Sequence, residues 1–216
     1  MAYDRDIRDE LDELYTADVG RIDIVDAPEI GCIAATGFGD ASSTEFQQTA
    51  EALISVARAA RQIVLERFGF THIVPPLEAL WAPGEDGEGL SWMLLIPQPD
   101  WVDQEIVTEA LVRAELFDQW GSRLGGIHFE VLDERSCVQT LHVGPLEEIA
   151  DVYEGLLRVI LPGRGLQTSG LRHEIYLTNP RTTPPSDMQT ILRQPVRSTV
   201  TRAVSPAHAD SAGALR

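Results

Sequence analysis

The sequence predicts an α+β fold made of two β-α-β-β units in tandem, with a ligand cleft where the units meet. Three observations lead there. The segments CIAATGFGD, a helix, PPLEALW, a hairpin and MLLIPQP recur in the same order as CVQTLHVGP, a helix, HEIYLTN, a hairpin and TILRQPV. Both units close on an apolar strand that runs into Gln-Pro, at Gln98-Pro99 and at Gln194-Pro195. One helix on a small sheet cannot bury its own apolar face, whereas two units packed about a pseudo-two-fold axis bury both and leave a cleft between them. The halves span about 25–101 and 102–196, with an N-terminal extension over 1–24 and a tail over 197–216.

Local patterns justify each element in turn. Ile7, Leu11 and Leu14 fall at helical spacing and predict a short amphipathic helix over 4–15. GRIDIVDAPEIGCIAATGFGD reads as two strands separated by Pro28. Residues 42–68 are rich in helix formers, with Ser43 or Thr44 as N-cap and Gly69 just past the end. THIVPPLEALW and LSWMLLIPQP are strand-like and flank the glycine-marked turn PGEDGEG, so they form a hairpin. WVDQEIVTEALVRAELFDQWG is helical, and GIHFEVLDERSCVQTLHVGP reads as a hairpin turning at Asp133-Glu134. LEEIADVYEGLLRVILPG is the next helix, stopped by Pro162 and Gly163, and strands RHEIYLTNP and MQTILRQPV follow around a polar loop. The small, polar, aperiodic tail is expected to be disordered.

Bulk properties narrow the function. Seventeen Lys and Arg against 34 Asp and Glu give a net charge of −17, which repels nucleic acid and anionic membranes. Direct nucleic-acid binding is not expected. No apolar run approaches the roughly 20 residues that span a bilayer, and the N-terminus lacks a signal core, so a cytoplasmic protein is expected. Cys32 and Cys137 each lie in an apolar strand and read as buried thiols. His72, His128, His142 and His173 sit on separate strands without metal-ligand spacing, and His208 is in the tail, so no metal site is expected. Phosphate-binding and dinucleotide fingerprints are absent.

Glu174 stands out. On an alternating strand it shares one face with Tyr176 and Thr178, while His173, Ile175 and Leu177 share the core face. The Glu174 face lines either a cleft or solvent. Glu147 and Glu148 follow Gly144-Pro145 at a helix start, where acids complement the helix dipole, although one of them is placed to enter the cleft. Trp81 ends the strand equivalent to that of Glu174, with Trp92 facing it across the hairpin; both are candidates for an aromatic wall. Trp120 reads as core, and Tyr153 points either to the cleft or to the core.

The segments LHVGPLEE, RHEIYLTNPRTTPP and ILRQPV resemble the GyrI-like small-molecule-binding domain, and ELYTADVG, PPLEALW and IPQPDWV resemble its stand-alone branch. The resemblance covers residues 10–196 and implies a tandem β-α-β-β duplication of the SHS2 type, in agreement with the repeat. In some multidrug-responsive regulators this domain senses cationic aromatic compounds through a buried glutamate. No helix-turn-helix is expected ahead of the domain here, which sets the regulator role aside.

Part of the stand-alone branch is implied to hydrolyse the cyclopropane of DNA-alkylating spirocyclohexadienones of the duocarmycin and yatakemycin type, a self-resistance activity needing no cofactor. The resemblance places the first glutamate of that site at Glu174 and the second at Glu148, with Glu147 as rival. Tyr176 is the candidate acid, and Trp81, Trp92, Tyr153 and Glu147 are candidates to hold substrate. The chain departs from the family at Leu146, where tyrosine is usual. The alternatives are a non-catalytic binder of aromatic or cationic drugs and a topoisomerase-inhibitor-like partner protein. The oligomeric state is left open.

Overall fold

The computed structural model describes residues 4–84, 87–117, 121–179 and 182–199. Strand β1 (Asp4–Arg5) and two helical turns, α1 (Ile7–Glu10) and α2 (Asp12–Tyr15), form the N-terminal segment. The amphipathic helix expected over 4–15 is thus broken at Leu11, but Ile7 and Leu14 are buried as its spacing requires. The first unit comprises β2 (Asp23–Ala27), β3 (Ile30–Phe38), α3 (Thr44–Phe68), β4 (Thr71–His72), β5 (Glu78–Pro83) and β6 (Leu90–Pro97). Helix α4 (Gln104–Phe117) leads to the second unit: β7 (His128–Leu132), β8 (Arg135–Val143), α5 (Ile149–Gly155), β9 (Leu166–Thr168), β10 (Arg172–Tyr176) and β11 (Gln189–Ser198). Between α5 and β9 the helix widens to a π turn over Leu156–Ile160 before its last turn. Among the described residues, no helix is long and apolar enough to cross a membrane.

Helix α3 is set by its caps and its stripe. The Phe46 N–H donates to Ser43 Oγ at 3.2 Å, and Gly69 closes the far end at φ +75, a left-handed backbone that glycine adopts without cost. Phe46, Ala50, Leu53, Val56, Ala57, Ala60, Ile63 and Val64 recur at helical spacing and are buried. They pack on the inner face of β3, β5 and β6 together with Val102, Ile106, Val107 and Ala110 of the α4 region.

The sheet order is β2-β8-β11-β10-β5-β6-β3-β7, with β9 added on β11. Read from either end the order is the same by role, and the pseudo-two-fold axis passes between β5 and β10. The leading strand of each unit is exchanged: β2 pairs with β8, and β7 pairs with β3. The expected hairpin at Asp133-Glu134 is therefore corrected. That turn lacks the Asn-Gly or Gly pair that folds a two-residue hairpin, and Arg135 takes a left-handed φ of 57 instead. The chain bends and continues, as it does at Pro28-Glu29. The two bent strands then pair with each other without a slip in register, Ala27 facing Arg135 and Ile30 facing Leu132 on either side of the bends. The tail boundary also moves. Arg197 and Ser198 pair with Gln167 and Leu166, and the Thr199 N–H donates to Gly165 O at 2.9 Å. Trp120, His208 and the rest of the tail lie outside the described residues.

Behind the central pair β5–β10 lies a buried ion cluster. His173, fully buried, holds Glu78 Oε2 and Glu134 Oε2 on its two ring nitrogens, each at 2.9 Å. The Arg193 guanidinium approaches Glu134 at 3.6 Å and donates to Gln139 Oε1 at 3.2 Å and to Leu14 O at 2.5 Å. The Tyr15 hydroxyl donates to Glu78 Oε1 at 3.0 Å. Burial alone would drive the imidazole towards neutrality, but Glu134 and Glu78 overcome it and push its pKa up to about 9. Burial likewise opposes the charge of Glu134, yet His173 and Arg193 hold its pKa below the usual value.

The sign of the stability follows. A raised pKa on His173 contributes stability in full below about 6.5, lost as pH rises through about 9. Denaturant unfolding between these limits should show wild type losing stability as pH rises, while His173→Gln shows no such loss. At pH 7 the variant should be less stable by about 3–5 kcal/mol, because two carboxylates lose their buried partner.

Candidate functional site

On the opposite face of the same two strands the sheet carries a second polar group, this one open to a cavity. β10 alternates, so Arg172, Glu174 and Tyr176 point away from the ion cluster. Ala79 lies directly across from Glu174 and offers only a methyl group, which leaves room above the carboxylate. Trp81 lies across from Arg172 and also pairs with Trp92.

Glu174 is 4% exposed, and both its oxygens have neighbours. The Tyr176 hydroxyl donates to Oε2 at 2.9 Å, and the Arg172 guanidinium lies 2.9 Å from Oε1. The buried indole N–H of Trp81 lies close to both groups without closing a hydrogen bond to either. Burial raises the pKa of Glu174 above the usual carboxylate value, although Arg172, Tyr176 and Trp81 pull the other way. Burial, with Glu174 beside it, pushes the Tyr176 phenol well above its ordinary value. The result is a carboxylate that keeps its proton longer than a surface glutamate and a phenol that stays protonated.

A cavity of about 1300 Å³ opens above this floor. One wall is the α3 stripe with Phe46, Ala50, Glu51 and Ile54, and the other is the 3₁₀ turn Leu146–Glu148 ahead of α5, with Leu146 and Glu147. Phe46 stacks on Trp81, ring centroids 5.5 Å apart and planes within 9°, and so stiffens the aromatic end.

The structure brings Glu174, Tyr176, Trp81 and Glu147 to this cavity. Three of the sequence candidates stand elsewhere. Glu148 is exposed, its carboxylate turned towards Gly144 and His142 rather than into the cavity. Trp92 is buried in the core, edge-on to Phe46 and packed against Gly37, where any side chain would collide with the indole. Tyr153 is buried beneath the site, its hydroxyl donating to Arg193 O and accepting from the His173 N–H. Arg172 is the residue that sequence reasoning passed over, although its place two residues before Glu174 puts it on the same face. Cys32 and Cys137 are buried and unlinked. Among the described residues, no group of three or more His, Cys, Asp or Glu is placed to hold a metal ion.

Comparison with solved structures finds a hydrolase from Listeria innocua at 26% identity and a TM-score of 0.77, covering 89% of this chain and all of that one. A second hydrolase structure from the same organism is similar at 26% identity and TM-score 0.79, covering 90% of this chain and all of its own. An uncharacterized conserved protein, also from Listeria innocua, is similar at 27% identity and TM-score 0.78, with 89% and 100% covered. No curated protein sequence matches. Residues 98–197 match the family model described as the GyrI-like small molecule binding domain. The match falls on the second unit, and the curled antiparallel sheet with a cleft across its central strands is a GyrI-like fold.

Proposed function

We propose that the protein is a hydrolase that opens the cyclopropane ring of spirocyclohexadienone DNA-alkylating compounds of the duocarmycin and yatakemycin type, and so protects the cell that contains it. The observation that carries this reading is the Glu174–Tyr176 pair at the floor of an aromatic-walled cavity. The similar proteins from Listeria innocua described as hydrolases support it.

In this reading Glu174 takes a proton from a water whose oxygen bonds to the cyclopropane methylene. The bond between that methylene and the spiro carbon breaks, and its electron pair enters the dienone ring, which becomes a phenolate. A proton then reaches the phenolate, so the product is substrate plus one water. Strain release and aromatisation drive the step, and the protein supplies orientation and proton transfer. Trp81 and Phe46 give the flat ring system a face to stack on. Of the two glutamates before α5, we take Glu147 rather than Glu148 as the second carboxylate, because Glu147 lines the cavity, as Glu51 and Asp40 also do. Sequestration of a cationic drug fits less well, because the charge of Glu174 is already answered by Arg172 at 2.9 Å.

Mass spectrometry after incubation with a duocarmycin-type spirocyclopropane should show catalytic formation of a product one water heavier. Glu174→Gln should slow it by at least about 100-fold. Unchanged compound in a stoichiometric complex would mean sequestration and sink the hydrolase reading. Since the working form of Glu174 is the carboxylate and its pKa is raised, kcat/KM should fall as pH drops, with the acid limb above the usual range of glutamate. Glu147→Gln should lower kcat/KM while Glu148→Gln leaves it within about twofold. Trp81→Ala should raise KM, whereas Trp92→Phe should lower Tm with little change in KM.

A further inference from the structure

We propose that Arg172 is a positioning residue: gripped between the rings of Trp81 and Tyr153, its guanidinium fixes the carboxylate of Glu174 in both orientation and charge. The inference rests on reading Glu174 as the working carboxylate.

The geometry is a clamp with a built-in anchor. The guanidinium carbon lies 5.6 Å from the centroid of the Trp81 ring and 5.3 Å from that of Tyr153, both within cation–π range. Tyr153 does not float. Its hydroxyl stands between the His173 N–H and the Arg193 carbonyl, two residues that face each other in the β10–β11 ladder. The ring that carries Arg172 is thus bolted to the backbone on either side of the ion cluster. Trp81 is held in turn by Phe46. Arg172 is only 26% exposed, and its Nε is buried with no hydrogen-bond partner, so the rings and the carboxylate set its orientation.

From this seat Arg172 forms an ion pair with Oε1 of Glu174 at 2.9 Å, without a hydrogen bond at that oxygen, while the Tyr176 hydroxyl donates to Oε2. The two contacts together restrict the terminal torsion of the carboxylate, which is otherwise broad. Other charges also face Glu174. His173 lies on its own strand but behind the sheet, while Glu147, Glu51, Arg58, Arg8 and Asp40 line the cavity. Arg172 is the cation in direct contact, so its removal is the change that Glu174 should feel most.

The test reads Glu174 directly, without substrate. Carbon-13 NMR of glutamate carboxyls, with the Glu174 signal assigned by its loss in Glu174→Gln, follows its titration in wild type, Arg172→Met and Arg172→Lys. In Arg172→Met the midpoint should rise by about one to three pH units. Arg172→Lys restores the cation and should bring it back towards wild type. Arg172→Gln, which keeps a planar group between the rings, takes the place of the Met variant if that variant does not fold. An unmoved midpoint in the neutral variants overturns the proposal, whatever the activity. The acid limb of kcat/KM should move with the midpoint. A midpoint that moves in a protein that turns over no spirocyclopropane leaves the clamp standing and removes the hydrolase reading alone.

Discussion

The buried contact of His173 with Glu78 and Glu134 is the constraint from which the rest of the molecule is hung. Bringing four ionisable side chains out of water costs several kcal/mol for each ion, and the cost is recovered only if charges and hydrogen bonds match. They match here at all but one atom. Two carboxylates face a protonated imidazole and a guanidinium, and Tyr15, Gln139 and the Leu14 carbonyl take further donors and acceptors, while Glu134 Oε1 is buried without a hydrogen-bond partner. Those partners come from both halves and from the N-terminal turns. The segment before residue 24 is therefore structural: Glu13 and Thr16 offer their carbonyls to Gln139, at 2.7 and 3.1 Å, and close the cluster from below.

The cluster also explains why the site is where it is. β10 carries charged side chains on both faces, and the alternation of a strand decides which face each one reaches. A slip of one residue against β5 would send Glu174 into the ion cluster and His173 into the cavity. Two independent devices prevent it. The cluster pins His173 opposite Leu80, and the Tyr153 hydroxyl pins its backbone to that of Arg193. Precision at Glu174 is thus inherited in part from the ion cluster on the opposite face of the sheet.

Much of this was legible in the sequence, and the failures have physical causes. Helix α3, its Ser43 cap and its Gly69 stop, the β5–β6 hairpin and the tandem repeat are all local signals, and the structure contains them. The exchanged leading strands were not legible, because Asp133-Glu134 and Pro28-Glu29 join strands that lie end to end, and spacing alone does not separate a bend from a hairpin. The ion cluster was hidden because His173 lies 95 residues from Glu78 and 39 from Glu134. Trp92 misled because it does share the face of its cross-strand partner Trp81, yet Phe46 of α3 packs edge-on against it and it stays off the cavity lining, which alternation cannot report. Glu147 and Glu148 stayed unresolved because they fall in a 3₁₀ turn, where neighbouring residues point about 120° apart and one residue of error reverses the answer.

The two halves share a fold but divide the labour. Across the axis, Ala79 of the first half faces Glu174 of the second, a methyl against a carboxylate. The first half supplies the long helix wall and the stacked Phe46 and Trp81; the second supplies Arg172, Glu174, Tyr176 and Glu147. Neither half alone makes the site, since the charged floor of the second half needs the wall of the first to desolvate it. The family match falls on residues 98–197, the half that carries the charges. The wall is built on a helix rather than on the sheet: α3 lines the cavity over more than two turns with side chains that none of the strand pairing depends on.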